Sequence, residues 1–386
     1  MRSTLNQGRT ITEEAVRALA AHVGDPAVSS VYLDMDGARR PVRVQVEAAF
    51  EHLADSLMAR ARAQGNRILA KAVEGDLQRM RDWLGTGWDR SDIRGLALFS
   101  SSRQGWFEAV PLPWPVADAA GFGPRPHVVR LVAALDANRA LLVALIDRRR
   151  LRLFDFEEGN PRELPGLTDL EPRAVDTDVE LGGFGHQREE AARVHYRRAA
   201  ERIDAVLASR GAGQWVVGGP DEAVAGLEAR LQPPASRRLA GRVSVRVSAP
   251  ISEIAEAVRE AEQSVKLRRE THAVRTLEES TGPGRAGSIG LDATLKALGD
   301  RRVGTLLVAE GFAAPGARCP ACGHLGTNVW QCPRCGSTPV AVDDVVEFAV
   351  DEGVAQHAAV EFIGAGRLDQ FGKIAAIDRF QPPTPD

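Results

Sequence analysis

The stretch Cys319-Pro320-Ala321-Cys322-Gly323, followed by Cys332-Pro333-Arg334-Cys335-Gly336, contains every cysteine of the 386-residue chain. Each Cys-x-x-Cys spacing lets two sulfurs turn toward one point. The Pro and Gly favour the tight turn that aims backbone amides at thiolates. Two such knuckles facing each other offer four soft ligands in a tetrahedron, the arrangement of a closed structural zinc site. Cys319, Cys322, Cys332 and Cys335 are therefore read as metal ligands, and zinc as a structural cofactor. Two disulfides, or an unmetallated redox pair, are the plainer alternatives; duplicated knuckles are more specific than a lone pair and favour the metal. The set has no His, no carboxylate and no open position, so the site is expected to hold shape and not to catalyse. His324 reads as a surface residue or a neighbour of the ligands, not as one of them.

The rest of the composition is that of an ordinary globular protein. Apolar residues make up 44% and charged residues 26%, and the length suffices for two or three domains with proper cores. The net charge of −3 announces no nucleic acid partner, so any such surface must come from local clustering. No apolar run is long enough to span a bilayer and no leader is visible, so the expectation is a cytoplasmic protein without a membrane partner. Cysteines confined to one metal-like cluster agree with a reducing compartment.

Periodicity divides the chain into an α/β fold of three parts. Residues 1–124 form the first: Thr12 caps a helix, 28–33 is a strand, 42–63 and 67–84 are helices, and 95–99 and 106–110 are strands. The Pro/Gly-rich stretch 111–126 reads as a linker. In the second part, 125–270, strands are expected at 128–134, 140–146 and 151–155. Asp147-Arg148-Arg149-Arg150 makes the turn between the last two. A polar stretch runs over 157–180, a glycine-rich loop over 182–187, and a helix starts near Arg188. A strand at 215–219, a helix at 222–231, a strand at 242–247 and a long helix from 252 complete it. The third part, 271–386, opens at Gly282-Pro-Gly-Arg-Ala-Gly287. A helix at 291–298 and a strand at 304–309 precede the knuckles, and further strands are expected at 345–351, 359–363 and 374–377.

This order of parts resembles the class I peptide chain release factor family of archaea and eukaryotes, whose relatives include the rescue factor Pelota and the bacterial hibernation factor Balon. Leu141-Leu-Val-Ala-Leu-Ile-Asp-Arg-Arg149 looks like the opening strand of that family's middle domain. Arg188-Glu-Glu-Ala-Ala-Arg-Val-His-Tyr196 resembles its long helix, and Trp215-Val-Val-Gly-Gly-Pro220 its next strand and turn. Thr305-Leu-Leu-Val-Ala-Glu310, the knuckles and Phe371-Gly-Lys-Ile-Ala-Ala-Ile-Asp-Arg-Phe380 resemble its C-terminal domain with a zinc ribbon. The resemblance implies a three-domain, release-factor-like architecture with the ribbon as an insertion.

The departures bear on function. Family members that release peptide carry Gly-Gly-Gln on a middle-domain loop, whose Gln helps position the attacking water. Here the loop reads Gly182-Gly183-Phe184-Gly185-His186-Gln187, and the triad does not occur as such. Stop-codon readers carry Asn-Ile-Lys-Ser in the first domain, and no such run occurs in 1–124. The resemblance thus implies a tRNA-shaped factor that fills the ribosomal A site for hibernation or rescue, without reading stop codons. An elongation factor Tu-type GTPase is a possible partner, and the factor is expected to be monomeric off the ribosome. Gly182, Gly183, Phe184, Gly185, His186, Gln187 and Arg188, with Arg148, Arg149 and Arg150, are its candidate RNA contacts. A solvated turn is the alternative for the arginines. Arg237, Arg238 and Arg242 stand on the same footing. A peptidyl-tRNA hydrolase using Gln187, and a zinc-ribbon interaction module unrelated to the ribosome, are the competing readings. His195, Tyr196, Trp83, Trp88, Trp106 and Trp114 are expected in cores.

Overall fold

The computed structural model describes residues 11–86, 93–137, 141–157, 160–168, 183–209, 213–282, 285–327 and 330–380. Helix α1 (Glu13–Ala21) starts at Thr12, whose side chain accepts from the Ala15 amide, and carries Glu13 and Glu14 at its positive end. Strand β1 (Val28–Asp34) is followed by the helical hairpin α2 (Arg43–Ala63) and α3 (Arg67–Gly85), then β2 (Gly95–Ser101), β3 (Trp106–Leu112) and β4 (Ala119–Gly123). The strands form one antiparallel sheet in the order β3-β2-β1-β4. The expected linker 111–126 therefore contains a strand: Val28–Tyr32 supply the partner groups for 119–123, and register pairing outweighs the poor strand propensity of glycine. Helix α4 (Val129–Ala137) replaces the strand expected at 128–134. Val and Leu there fit either period, and burial of Leu131 beneath helix neighbours decides for the helix.

The middle of the chain builds a second sheet. Strands β5 (Leu141–Ile146), β6 (Arg150–Glu157) and β7 (Asn160–Thr168) form an antiparallel meander, so part of the polar stretch 157–180 is an edge strand. Helix α5 (Gly183–Ser209) begins five residues before the expected start and takes in most of the glycine-rich stretch. Strand β8 (Gln214–Gly218), helices α6 (Asp221–Glu228) and α7 (Pro233–Arg238), strand β9 (Leu239–Val243) and helix α8 (Ile251–Ser280) follow. The sheet order is β7-β6-β5-β8-β9, with β5, β8 and β9 parallel. Alternation along β5 sends Leu142, Ala144 and Ile146 under α5, α6 and α7, and Leu141, Val143 and Leu145 under α8.

The last part contains β10 (Gly287–Ile289), α9 (Leu291–Gly299), β11 (Val303–Ala309), the small strands β12 (Gly316–Arg318), β13 (Leu325–Gly326) and β14 (Val340–Val342), then α10 (Val345–Ala355), β15 (Ala359–Ile363) and β16 (Ile374–Asp378). Its main sheet runs β10-β16-β11-β15, and the ribbon sheet runs β13-β12-β14. The strand expected at 345–351 is helix α10. The Asp344 side chain caps it by accepting from the Val346 amide, a local signal that overrides the β-branched composition.

Two compact units result, one of Met1–Ala137 with His272–Asp386 and one of Asn138–Thr271. Within the first, the N- and C-terminal segments share a single core. Tyr32, Ala97 and Phe99 from one sheet face meet Leu295, Val346, Val350 and Val308. The opposite face of the N-terminal sheet, with Val31, Leu33, Leu96 and Leu98, is covered by α2 and α3. A buried polar joint sits in that shared core. Asp351 on α10 receives the Val128 amide at 2.7 Å and faces His127 Nδ1 at 2.9 Å. The His127 amide donates to Ser30 Oγ at 3.0 Å, and the Tyr32 hydroxyl donates to the His127 carbonyl at 2.5 Å. Both Asp351 carboxylate oxygens, Ser30 Oγ and the Tyr32 hydroxyl of this joint thus have partners, as a low-dielectric site requires.

Candidate functional site

The two knuckles are built alike. The Cys319 amide donates to the His324 carbonyl at 2.8 Å, and the Cys332 amide to the Ser337 carbonyl at 2.9 Å. Gly323 and Gly336 close the turns with φ of 75° and 73°, a region that glycine enters without penalty. This repeat brings all four Sγ atoms within 4.8 Å of one another. Two pairs, Cys319 with Cys335 and Cys322 with Cys332, lie at 3.4 Å, and all four cysteines are free thiols, so no disulfide closes the ribbon. A zinc ion with bonds of about 2.3 Å needs sulfurs separated by roughly 3.8 Å at the corners of a tetrahedron, which this cluster spans. The cluster can hold a metal ion, and its donor chemistry fits zinc.

Protons in the cluster are unevenly held. The Ser337 hydroxyl and amide, with Cys319, pull the Cys335 thiol down to about 6. At Cys322 the His324 amide lowers the value, but burial and the three neighbouring sulfurs outweigh it and push it up to about 12. Several thiolates in one place repel unless a cation joins them, so the unmetallated cluster resists full ionisation. His324 does not join the ligands. It lines an adjoining cleft of about 370 Å³ with Asp292, Lys296, Asp300, Thr327 and Arg334. Burial and then Arg334 hold its imidazole below the ordinary value.

The hairpin tip between α2 and α3, which carries no sequence motif, is an exposed cationic feature of the first unit. Residues 62–68 are all exposed, and Gly65 turns the chain at φ 68°. Asn66 caps α3 by accepting from the Ile68 and Leu69 amides. Arg60, Arg62, Arg67 and Lys71 surround the turn, with no acidic residue between Asp55 and Glu74. Arg60 donates to the Ala120 carbonyl. Arg62, Arg67 and Lys71 have no hydrogen-bond or ion-pair partner among the described residues. Ile68, 60% exposed, stands beside them. The signal was present as four cations spaced at 60, 62, 67 and 71, but only the hairpin draws them together.

The other basic candidates are more engaged. Asp147 Oδ1 accepts the amides of Arg149 and Arg150 at 2.7 and 2.8 Å, which makes Arg148–Arg150 a tight exposed turn. Arg148 is paired with Glu222 at 2.6 Å. Arg238 donates to the Leu207 carbonyl at 3.2 Å and Arg242 pairs with Glu228 at 2.8 Å. Gly182 lies outside the described residues; Gly183, Phe184, Gly185, His186, Gln187 and Arg188 are the opening turns of α5, and their side chains lie outside the description. His195 and Tyr196 are buried, as is Trp114, whereas Trp106 is half-buried and stacks on His22 at 3.9 Å. Trp83 is half-buried against Phe107, and Trp88 lies outside the described residues.

Residues 126–263 match the model of the bacterial archaeo-eukaryotic release factor family 10. The middle unit is release-factor-like. Among curated proteins no sequence matches the chain. Among solved structures, an archaeal translation termination factor, aRF1, is 18% identical over 96% of this chain and 99% of that one, with a TM-score of 0.27. Ribosome-bound archaeal Pelota with ABCE1 is 16% identical over 72% and 73%, with a TM-score of 0.44. Dom34 of S. cerevisiae, a termination-like factor in RNA quality control that interacts with Hbs1, is 10% identical over 77% and 84%, with a TM-score of 0.41.

Proposed function

We propose that the chain is a cytoplasmic ribosome-binding factor that occupies the A site and acts in hibernation or rescue without reading stop codons. The observation that carries this reading is the family match of 126–263 in a chain whose 182–187 stretch lacks the Gly-Gly-Gln of peptide-releasing members. The hairpin tip adds support: three cations without partners among the described residues, at one exposed turn, suit phosphates of rRNA in the decoding region. The Gly182–Arg188 stretch and Arg148–Arg150 would then contact RNA toward the peptidyl-transferase centre. Zinc would hold the Cys319–Cys335 ribbon in shape, and the last segment, 271–386, would face the ribosomal base and an elongation factor Tu-type GTPase. Off the ribosome the factor would be a monomer.

Cosedimentation with 70S ribosomes tests the proposal. Binding at low salt that falls steeply between about 50 and 200 mM salt is expected, as for any complex dominated by phosphate contacts. Absence of binding at low salt overturns it. Loaded ribosomes should retain their peptide in the presence of the protein. Release that depends on Gln187, read with Gln187→Ala, would convert the factor into a peptidyl-tRNA hydrolase.

A further inference from the structure

The ribbon exposes one large aromatic. Trp330 is 90% exposed, directly before the second knuckle. The residues that follow it are tied into the knuckle: the Gln331 side chain donates to the Gly336 carbonyl at 3.2 Å, and the Cys332 amide donates to the Ser337 carbonyl at 2.9 Å. Burial cannot explain a bare indole at a fixed turn. Large aromatics in that setting mark contact surfaces.

A cationic cleft adjoins the knuckles. It is lined by Lys296 from α9 and by His324 and Arg334 from the two knuckles. Its two acids are already engaged: Thr327 donates to Asp292, and Asp300 faces Arg302 at 3.5 Å. Lys296 and Arg334 have no hydrogen-bond or ion-pair partner among the described residues. From residue 311 to residue 342 the sequence has no acidic side chain. Lys296 and Arg334 line one groove, and Arg334 follows the bare indole by four residues of chain; together they match the repeating chemistry of an unpaired nucleotide, a flat base to stack and a phosphate to pair. A protein hot spot would place the indole within an apolar surround. Here Val329 precedes the indole in sequence and Gln331, Pro333 and Arg334 follow it, and among the described residues of the ribbon the only other exposed large apolar side chain is Val340.

We infer that the ribbon is a second RNA-binding site, in which Trp330 stacks on an unpaired base while Lys296 and Arg334 hold the adjoining phosphate. The occupant is single-stranded RNA; the choice of RNA over DNA rests on the proposed function, and the stacking site does not. The site lies outside both the hairpin tip and the middle unit.

The test uses the zinc-loaded full chain and a fluorescein-labelled ten-nucleotide RNA, read by anisotropy, with a 4-thiouridine version crosslinked and mapped. Trp330→Ala should weaken binding by about tenfold or more, and Trp330→Phe should retain most of it. Lys296→Gln with Arg334→Gln should lower the slope of log affinity against log salt by roughly 1.4, the value for two lost phosphate contacts on a single strand. Crosslinks should map to the ribbon. Because the indole is exposed, zinc content and melting temperature should stay unchanged in Trp330→Ala. Wild-type affinity in Trp330→Ala, crosslinks elsewhere only, or a protein partner lost in Trp330→Ala with RNA binding intact, would each overturn the assignment. Free oligonucleotide needs no ribosome, so loss of 70S cosedimentation with oligonucleotide binding intact refutes the A-site reading and not this one.

Discussion

Replacement of Asp351 tests how the N- and C-terminal segments are held in one unit. Its carboxylate is buried, at 5% exposure, against His127 at 6%. Asp351→Ala removes the acceptor for the Val128 amide and the anion beside His127 Nδ1, and leaves both groups inside without partners. Breaking a buried pair from one side costs about 3–5 kcal/mol. For a unit of this size that corresponds to a fall in melting temperature of roughly 6–20 °C. Asp351→Asn keeps an oxygen for the Val128 amide and should cost less, about 1–3 kcal/mol. The pH dependence adds a sign. Burial lowers the His127 value, but the hydrogen bond and charge of Asp351 reverse this and leave it above the ordinary 6.5. A group raised on folding contributes stability that is complete below its unfolded value and is lost as pH rises through its folded value. The wild-type unit should therefore lose stability from about pH 6.5 upward. Glu347 is also raised, by burial first, but from an ordinary value of 4.5, so its contribution begins at lower pH. Thermal unfolding followed by circular dichroism from pH 5.5 to 9, with amide exchange at Val128, measures both effects. An Asp351→Ala protein within 1 kcal/mol of wild type, or an Asp351→Asn protein with an unchanged slope above pH 6.5, would refute the reasoning.

Three other outcomes are expected. Elemental analysis should find about one zinc per chain, lost in Cys322→Ser, and affinity should fall as pH drops because the thiol held at about 12 must give up its proton to bind metal; a full complement of metal in Cys322→Ser would contradict the ligand set. Arg62→Glu with Arg67→Glu should weaken 70S binding and lower its salt slope by roughly 2, without change in melting temperature since both side chains are exposed; unchanged cosedimentation would remove the tip from the interface. Gly219→Ala should destabilise the second unit by about 2 kcal/mol or more in urea unfolding, because φ is 138° and an added Cβ would lie 1.9 Å from the Ile146 carbonyl oxygen; a neutral effect would show that this turn relaxes freely.

The parts that could be read from sequence are those whose chemistry is local. The knuckles announce themselves because a metal site needs fixed donors at fixed spacing, and Thr12 caps its helix because the capping oxygen lies within three residues of the amide it accepts from. Where the sequence reading went astray, the deciding contact lay far along the chain. Residues 129–137 are rich in Val, Leu and Ala and fit a strand as well as a helix until the shared core is assembled; 345–355 is the exception, decided by the Asp344 cap beside it. The 119–123 strand exists because β1 presents an unpaired edge some ninety residues earlier. The same distance rule governs function. His127 and Asp351 are 224 positions apart and have no motif. Lys296 and Arg334 carry no signature until α9 and the second knuckle form one cleft. Arg148, by contrast, looked like an RNA contact in sequence, and its pairing with Glu222 makes it a poorer one than the unpartnered tip. A cation already satisfied must give up an ion pair before it can bind phosphate, whereas Arg62, Arg67 and Lys71 give up only water. On this energetic ground the first unit, whose tip has no recognised motif, should contribute more to ribosome affinity than the arginine turn of the family-matched middle unit.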